Sequence, residues 1–139
     1  HCMDPQLAKH QIIQHALHFL TEEMTNVSYQ DKVVCHCDLN HNNWLLSEQN
    51  ELFLIDWDGA MIADPAIDIC MVLYWYLEES EWEDWLSTYG IELTSNLRQR
   101  MHWYVIAQTI YSIQWYYKSG VEKELNYWLT YLESLFPNN

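Results

Sequence analysis

Glycine and positive charge are both scarce in this chain. Its 139 residues include three glycines, Gly59, Gly90 and Gly120, set far apart from one another. Nothing here can form a glycine-rich loop of the kind that cradles phosphates through backbone N–H groups. Lys and Arg together number six against 20 Asp and Glu, a formal net charge of −14 at pH 7. A nucleic-acid binder needs a basic footprint, so that class of partner is set aside. The charge favours a cationic or neutral ligand, with metal ions offsetting the local carboxylates. The four cysteines, Cys2, Cys35, Cys37 and Cys70, show no C-x-x-C spacing and suggest no disulfide framework. They fit the reducing cytoplasm. Cys35, His36, Cys37 and His41 match no common zinc spacing, and alternation on a strand would turn Cys35 and Cys37 away from His36. The most apolar run, residues 69–77, is too short to span a bilayer and reads as a buried helix. No export signal, internal repeat or low-complexity linker breaks the chain, which predicts one domain and no membrane partner.

What the chain has in plenty is apolar surface. Half its residues are hydrophobic, with eight Trp and ten Tyr, enough for one real core. The pattern is mainly helical with a small β-hairpin. Asp4-Pro5 predicts a helix start, and Leu7, Ile13, Leu17, Leu20 and Met24 continue it as an apolar stripe. A short strand follows over residues 33–35. Residues 44–47 and 52–55 predict a hairpin around Glu48-Gln49-Asn50-Glu51, with Asn43 and Asp56 brought together at its open end. Asp64-Pro65 predicts the cap of a helix reaching about Glu79. Ser80-x-x-Glu83 reads as a capping box for a short helix ended by Gly90. Thr94 opens a long helix stopped at Gly120, and a last one runs from Val121 toward Phe136, before Pro137.

The chemistry concentrates in residues 33–46, VVCHCDLNHNNWLL, and 52–59, LFLIDWDG. Phosphoryl transfer needs a carboxylate to orient and deprotonate the attacking hydroxyl, and oxygen ligands for the magnesium that bridges the nucleotide phosphates. Asp38 fits the first task; Asn43 and Asp56 fit the second. Five residues separate Asp38 from Asn43, so one irregular loop presents both. Asp56 ends an apolar run, a rigid place for a ligand. His36 reads as a hydrogen-bonding residue of the loop, Asp64 as a helix cap, and His41 and Asn42 as loop-shaping residues. Asp58 fits equally a support for metal or substrate and a cap for the turn at Gly59. Trp75, Trp82, Trp85, Trp103 and Tyr104 fall at core spacing, and the run Glu78, Glu79, Glu81, Glu83 and Asp84 reads as a solvated helix face.

The order His36-x-Asp38-x-x-x-x-Asn43, then Ile55-Asp56-Trp57-Asp58, resembles the aminoglycoside phosphotransferase and choline kinase family, which shares the protein-kinase-like fold. The segment Ala63-Asp64-Pro65-Ala66-Ile67-Asp68-Ile69 resembles that family's G-D-P-x-x-D stretch. The wording DLNHNNWLL and DWDGAMIADPA is similar to a small-molecule kinase subfamily of Gram-positive bacteria linked to cell-cycle control. The resemblance implies that Asp38 is the catalytic base, that Asn43 and Asp56 bind Mg²⁺ and with it ATP, and that His36 and Asp68 brace the catalytic loop. Cys37 departs from the family's usual Gly. Asn40 stands where protein kinases carry a phosphate-contacting Lys, which suits a small-molecule kinase instead.

The same resemblance makes the scarcities informative. Complete members have an N-terminal lobe with a phosphate-covering loop and a strand lysine, whereas Lys9 and Lys32 are the only Lys or Arg before the loop here. The expectation is therefore that residues 1–139 are a C-terminal lobe, helical with a small hairpin, inactive alone and separated from its N-terminal lobe. The implied function is ATP- and Mg²⁺-dependent transfer to a hydroxyl of a small molecule: a sugar, nucleoside, amino alcohol or aminoglycoside, with sugars and nucleosides preferred. Two other classes remain open. One is a pseudokinase-type binding module with a cell-cycle protein partner; the other is a metal-dependent phosphohydrolase using His36, Asp38, Asp56 and Asp58. A fragment with no native life of its own is a third reading.

Overall fold

The computed structural model describes residues 3–136, so Cys2 and Pro137 lie outside the described residues. Residues Tyr29–Met101 form one unit, and the segments on either side of it form another.

The flanking unit is helical. Its first α-helix, α1, runs Gln11–Glu23, later than the Asp4-Pro5 start expected from sequence. His10 is extended, with ψ 128°, and separates α1 from a single 3₁₀ turn at Leu7–Lys9. Asp4 caps locally instead: its Oδ1 accepts from the Gln6 N–H at 2.8 Å. Ile13 and Ala16 of α1 are fully buried, as is Leu132 of α5 (Glu122–Ser134). The long helix α4, Ser95–Ser119, begins in the central unit, and its part in the flanking unit buries Val105, Ile106, Ile110 and Ile113, an apolar stripe at helical period. Thr109 also lies in that stripe, its hydroxyl satisfied by donating to Val105 O at 2.7 Å. Trp103 Nε1 donates to Leu20 O at 3.0 Å, and Phe19, His102 and Phe136 pack edge to face. The stop of α4 is as expected, with Gly120 left-handed at φ 70°.

The central unit holds the four strands of the described residues and the motif residues. β1 (Val33–Cys35) pairs antiparallel with β4 (Met61–Ala63), Val34 opposite Ile62. β2 (Trp44–Leu46) pairs with β3 (Leu52–Leu54) as the anticipated hairpin, in the register Trp44 to Leu54. The β1–β4 ribbon was not anticipated: three residues are too few to show a period. The outer faces of both ribbons are apolar and exposed, Val34 at 65 %, Ile62 at 63 %, Leu46 at 67 % and Leu52 at 61 %.

α2 (Ala66–Tyr76) buries Ile69, Cys70, Met71 and Leu73. It stops three residues short of the expected Glu79, because Leu77 turns extended and Glu78 begins a new cap. The capping box is Glu78 with Glu81, two residues earlier than the expected Ser80 and Glu83. Glutamate serves as the cap here, outside the usual Ser, Thr, Asp, Asn set. The short helix α3 (Trp82–Tyr89) follows and ends at left-handed Gly90, as expected. Trp82 Nε1 donates to Leu73 O at 3.1 Å, tying α3 to α2.

Candidate active site

The loop after β1 turns at once. Cys35 ends the strand, and both Cys35 and His36 are buried, so the alternation expected across Cys35, His36 and Cys37 stops at Cys35. Cys37 has φ 66°, a left-handed backbone that disfavours any side chain and explains why glycine suits this position. Two backbone N–H groups exposed by this turn point at one carboxylate. His36 N donates to Asp68 Oδ2 at 2.6 Å and Cys37 N to Asp68 Oδ1 at 2.7 Å. Asp68 lies in the first turn of α2, so a rigid helix holds the loop through charge-assisted bonds.

His36 is 1 % exposed and links three segments. Its Nδ1 accepts from the Asp38 N–H at 3.2 Å, so in the neutral ring the proton sits on Nε2, which donates to Ile55 O at 2.8 Å. Trp57 packs its ring edge-on against the imidazole at 4.8 Å. Ile55 N in turn donates to Asn43 O at 2.9 Å. The residue before Asp56 is thus fixed to both the loop histidine and Asn43.

Asp38 is exposed, with each carboxylate oxygen taking one amide. Asn40 Nδ2 donates to Oδ1 at 2.7 Å, and Asn43 Nδ2 donates to Oδ2 at 2.9 Å and to Asp38 O at 2.8 Å. With its NH₂ engaged twice by Asp38, buried Asn43 has its amide oxygen left over from that contact. Asp56 is exposed in a left-handed conformation, φ 61°, and makes no side-chain hydrogen bond among the described residues. An amide oxygen and a free carboxylate are hard oxygen donors, and two such ligands suit Mg²⁺, which keeps water and phosphate for its other positions. The donor set therefore fits the ion. Among the described residues no three His, Cys, Asp or Glu side chains converge as a metal cage.

The structure thus brings His36, Asp38, Asn40, Asn43 and Asp68 into one hydrogen-bonded cluster with Asp56 beside it. Asp58 sits exposed in the 3₁₀ turn Trp57–Gly59 and makes no side-chain hydrogen bond to that cluster among the described residues. The Cys35 and Cys37 thiols are both shifted away from the thiolate form. Burial, then the Asp68 charge, pushes Cys35 up to about 12 and raises Cys37 in the same way.

Two residues, Tyr76 and Arg100, escaped the sequence reading. Tyr76, at the end of α2, accepts the His41 N–H on its hydroxyl at 2.9 Å. Burial raises this phenol and the Asp38 charge adds to the effect, while the His41 bond opposes it. Arg100 and Asp64 form a buried ion pair, 5 % and 3 % exposed. Arg100 Nε also donates to Asn96 Oδ1 at 3.0 Å, and its guanidinium stacks 3.8 Å from the Tyr29 ring centroid. Asp64 Oδ1 additionally accepts from Ala66 N at 2.9 Å, so this aspartate both caps α2, as expected, and anchors Arg100. Arginine 36 residues from its partner leaves no local signal.

A model of the phosphotransferase enzyme family matches residues 3–104 of the chain. Among solved structures, choline kinase LicA from Streptococcus pneumoniae superposes with a TM-score of 0.74 at 21 % identity, over 95 % of this chain and 49 % of that one. LicA in complex with AMP gives a TM-score of 0.69 at 23 % identity, over 96 % and 50 %. Aminoglycoside phosphotransferase APH(4)-Ia gives 0.73 at 16 % identity, over 96 % and 44 %. The chain thus spans about half the length of these solved structures. The fold is the helical C-terminal part of the protein-kinase-like architecture, as the motif order implied. By that match, and with the motif loop inside the matched residues, this chain belongs to the phosphotransferase enzyme family.

Proposed function

We propose that residues 1–139 form the catalytic-loop and acceptor lobe of an ATP- and Mg²⁺-dependent small-molecule kinase whose nucleotide clamp is a separate N-terminal lobe. The observation that carries this reading is the pair of amides on Asp38: Asn43 spends its NH₂ on the base and keeps its oxygen for a cation. The half-length match to the solved kinases and the missing glycine loop support the second lobe.

Asp38 orients an acceptor hydroxyl and takes its proton as the oxygen attacks the terminal phosphorus of ATP, whose bond to the bridging oxygen breaks to release ADP. Asn43 and Asp56 would hold the cation, which when bound would supply neutralisation of the phosphate charge. His36 and Asp68 fix the loop, so that most of the rate comes from positioning and preset electrostatics. The acidic surface suits neutral or cationic acceptors, and sugar or nucleoside hydroxyls are the first to screen.

The test is phosphoryl transfer by the protein carrying both lobes. Asp38→Ala and Asp56→Ala each abolish transfer with the helical signal intact. Normal turnover in either variant sinks the assignment. Titrating ATP-Mg²⁺ into this chain and into the two-lobed protein separates the alternatives: binding to the two-lobed form alone supports a split nucleotide site, and binding to neither supports a pseudokinase module.

A further inference from the structure

Asn40 is the one residue of the cluster whose place has no role yet in the chemistry. Its amide is used at both ends. The oxygen accepts from Asn42 N at 2.9 Å, capping the 3₁₀ turn His41–Asn43, and the nitrogen donates to Asp38 Oδ1 at 2.7 Å. The first bond fixes the second: with Oδ1 committed to an N–H, only the NH₂ can face the carboxylate.

We infer that Asn40 is a positioning residue for phosphoryl transfer, acting through Asp38. A carboxylate held on one oxygen can still rotate about its Cβ–Cγ bond, because that terminal torsion is broad. Asn43 holds Oδ2 and Asn40 holds Oδ1, so two amides on opposite sides fix the plane of the base. Each oxygen keeps a second lone pair, and the acceptor hydroxyl donates to one of them along a preset direction. The two amides come from one short segment, residues 40–43, whose turn is itself closed by the Asn40 side chain and by Asn43 N donating to Asn40 O at 3.1 Å. Base and metal ligand are therefore set by the same turn. The inference rests on the kinase reading above and adds a residue to it.

The two bonds of Asn40 separate by substitution. Asn40→Ser keeps an oxygen that caps the turn, since Ser is as good a cap as Asn, but is too short to donate to Asp38. It adds no charge. Asn40→Asp also keeps the cap and turns a donor into an acceptor facing Asp38. In the two-lobed protein, with an acceptor identified by ATP consumption, both variants lower kcat by about 100-fold, the loss expected for a misplaced reacting group. The KM for ATP and the melting temperature stay at wild-type values. Full kcat in Asn40→Ser overturns the inference and leaves Asn40 as a turn former, a role that only Asn40→Ala would then disturb. Wild-type protein that consumes ATP with no acceptor in the screen removes the kinase reading, and the role of Asn40 falls with it. As an activity-free check, the Asn40 side-chain amide resonances of this chain shift on Asp38→Ala. Unchanged resonances refute the contact itself.

Discussion

Removing the Asp68 carboxylate tests how the loop is held. It accepts from His36 N at 2.6 Å and from Cys37 N at 2.7 Å. A hydrogen bond to a charged group contributes about 1.5–3 kcal/mol, and more of that is lost where the abandoned donor is buried. His36 is buried, so its N–H loses close to the upper figure. Cys37 is half-buried, and water replaces part of its loss. Asp68→Ala therefore costs about 3–4 kcal/mol. At that size the urea midpoint of the central unit falls clearly, and the fluorescence of Trp57, packed on His36, reports it. The sharper point concerns Asp68→Asn, usually thought conservative. An amide offers one acceptor and one donor, so one loop N–H would face an NH₂ group. Asp68→Asn should cost at least as much as Asp68→Ala. If the Asn variant keeps most of the wild-type stability, or the Ala variant loses under about 1 kcal/mol, then the two-pronged carboxylate clamp does not hold the loop.

Further outcomes follow from other residues. Cys37→Gly relieves the left-handed backbone at φ 66° and raises stability by about 1 kcal/mol, read by urea titration, whereas β-branched Cys37→Val lowers it. Arg100→Ala strands the buried Asp64 charge and costs about 3–5 kcal/mol, while replacing both partners by apolar residues costs much less. A double-mutant cycle on the two positions measures the difference. Burial holds the His102 imidazole below its ordinary value of 6.5. The unfolded chain then binds a proton that the folded chain refuses, so stability is full above pH 6.5 and declines as pH falls through the window below it. His102→Phe, which fits the ring cluster with Phe19 and Phe136, should flatten that decline in urea midpoints taken at pH 5.5 and 7.5.

Local patterns carried much of this fold. The β2–β3 hairpin was legible because two apolar runs flank a polar four-residue turn, and α4 because Thr94 and Gly120 bracket a long period. Thr94 Oγ1 does accept from Leu97 N at 3.1 Å. The errors have physical causes. A single extended residue, His10, moved the start of α1, and a glutamate cap displaced the box ahead of α3. The β1–β4 pairing and the Arg100–Asp64 pair join residues far apart in sequence, and no periodicity announces such contacts. At the candidate site, the order of His36, Asp38, Asn43 and Asp56 was visible. The amide orientation at Asn40, the αL backbone at Cys37 and Asp56, and the hydroxyl of Tyr76 on the loop belong to three dimensions alone.

The β2–β3 ribbon has one further consequence. It is three residues long on each side, has no third strand among the described residues, and leaves Leu45, Leu46, Leu52 and Phe53 facing outward. A lone ribbon of that size is marginal in water, yet Asn43 and Asp56 stand at its open end. Its order is borrowed, chiefly through Ile55, whose carbonyl meets His36 and whose N–H meets Asn43. The proposed cation site should therefore be among the last parts to set during folding and among the first to loosen on warming. Heat would dismantle the chemistry at temperatures where the helices still report a folded protein.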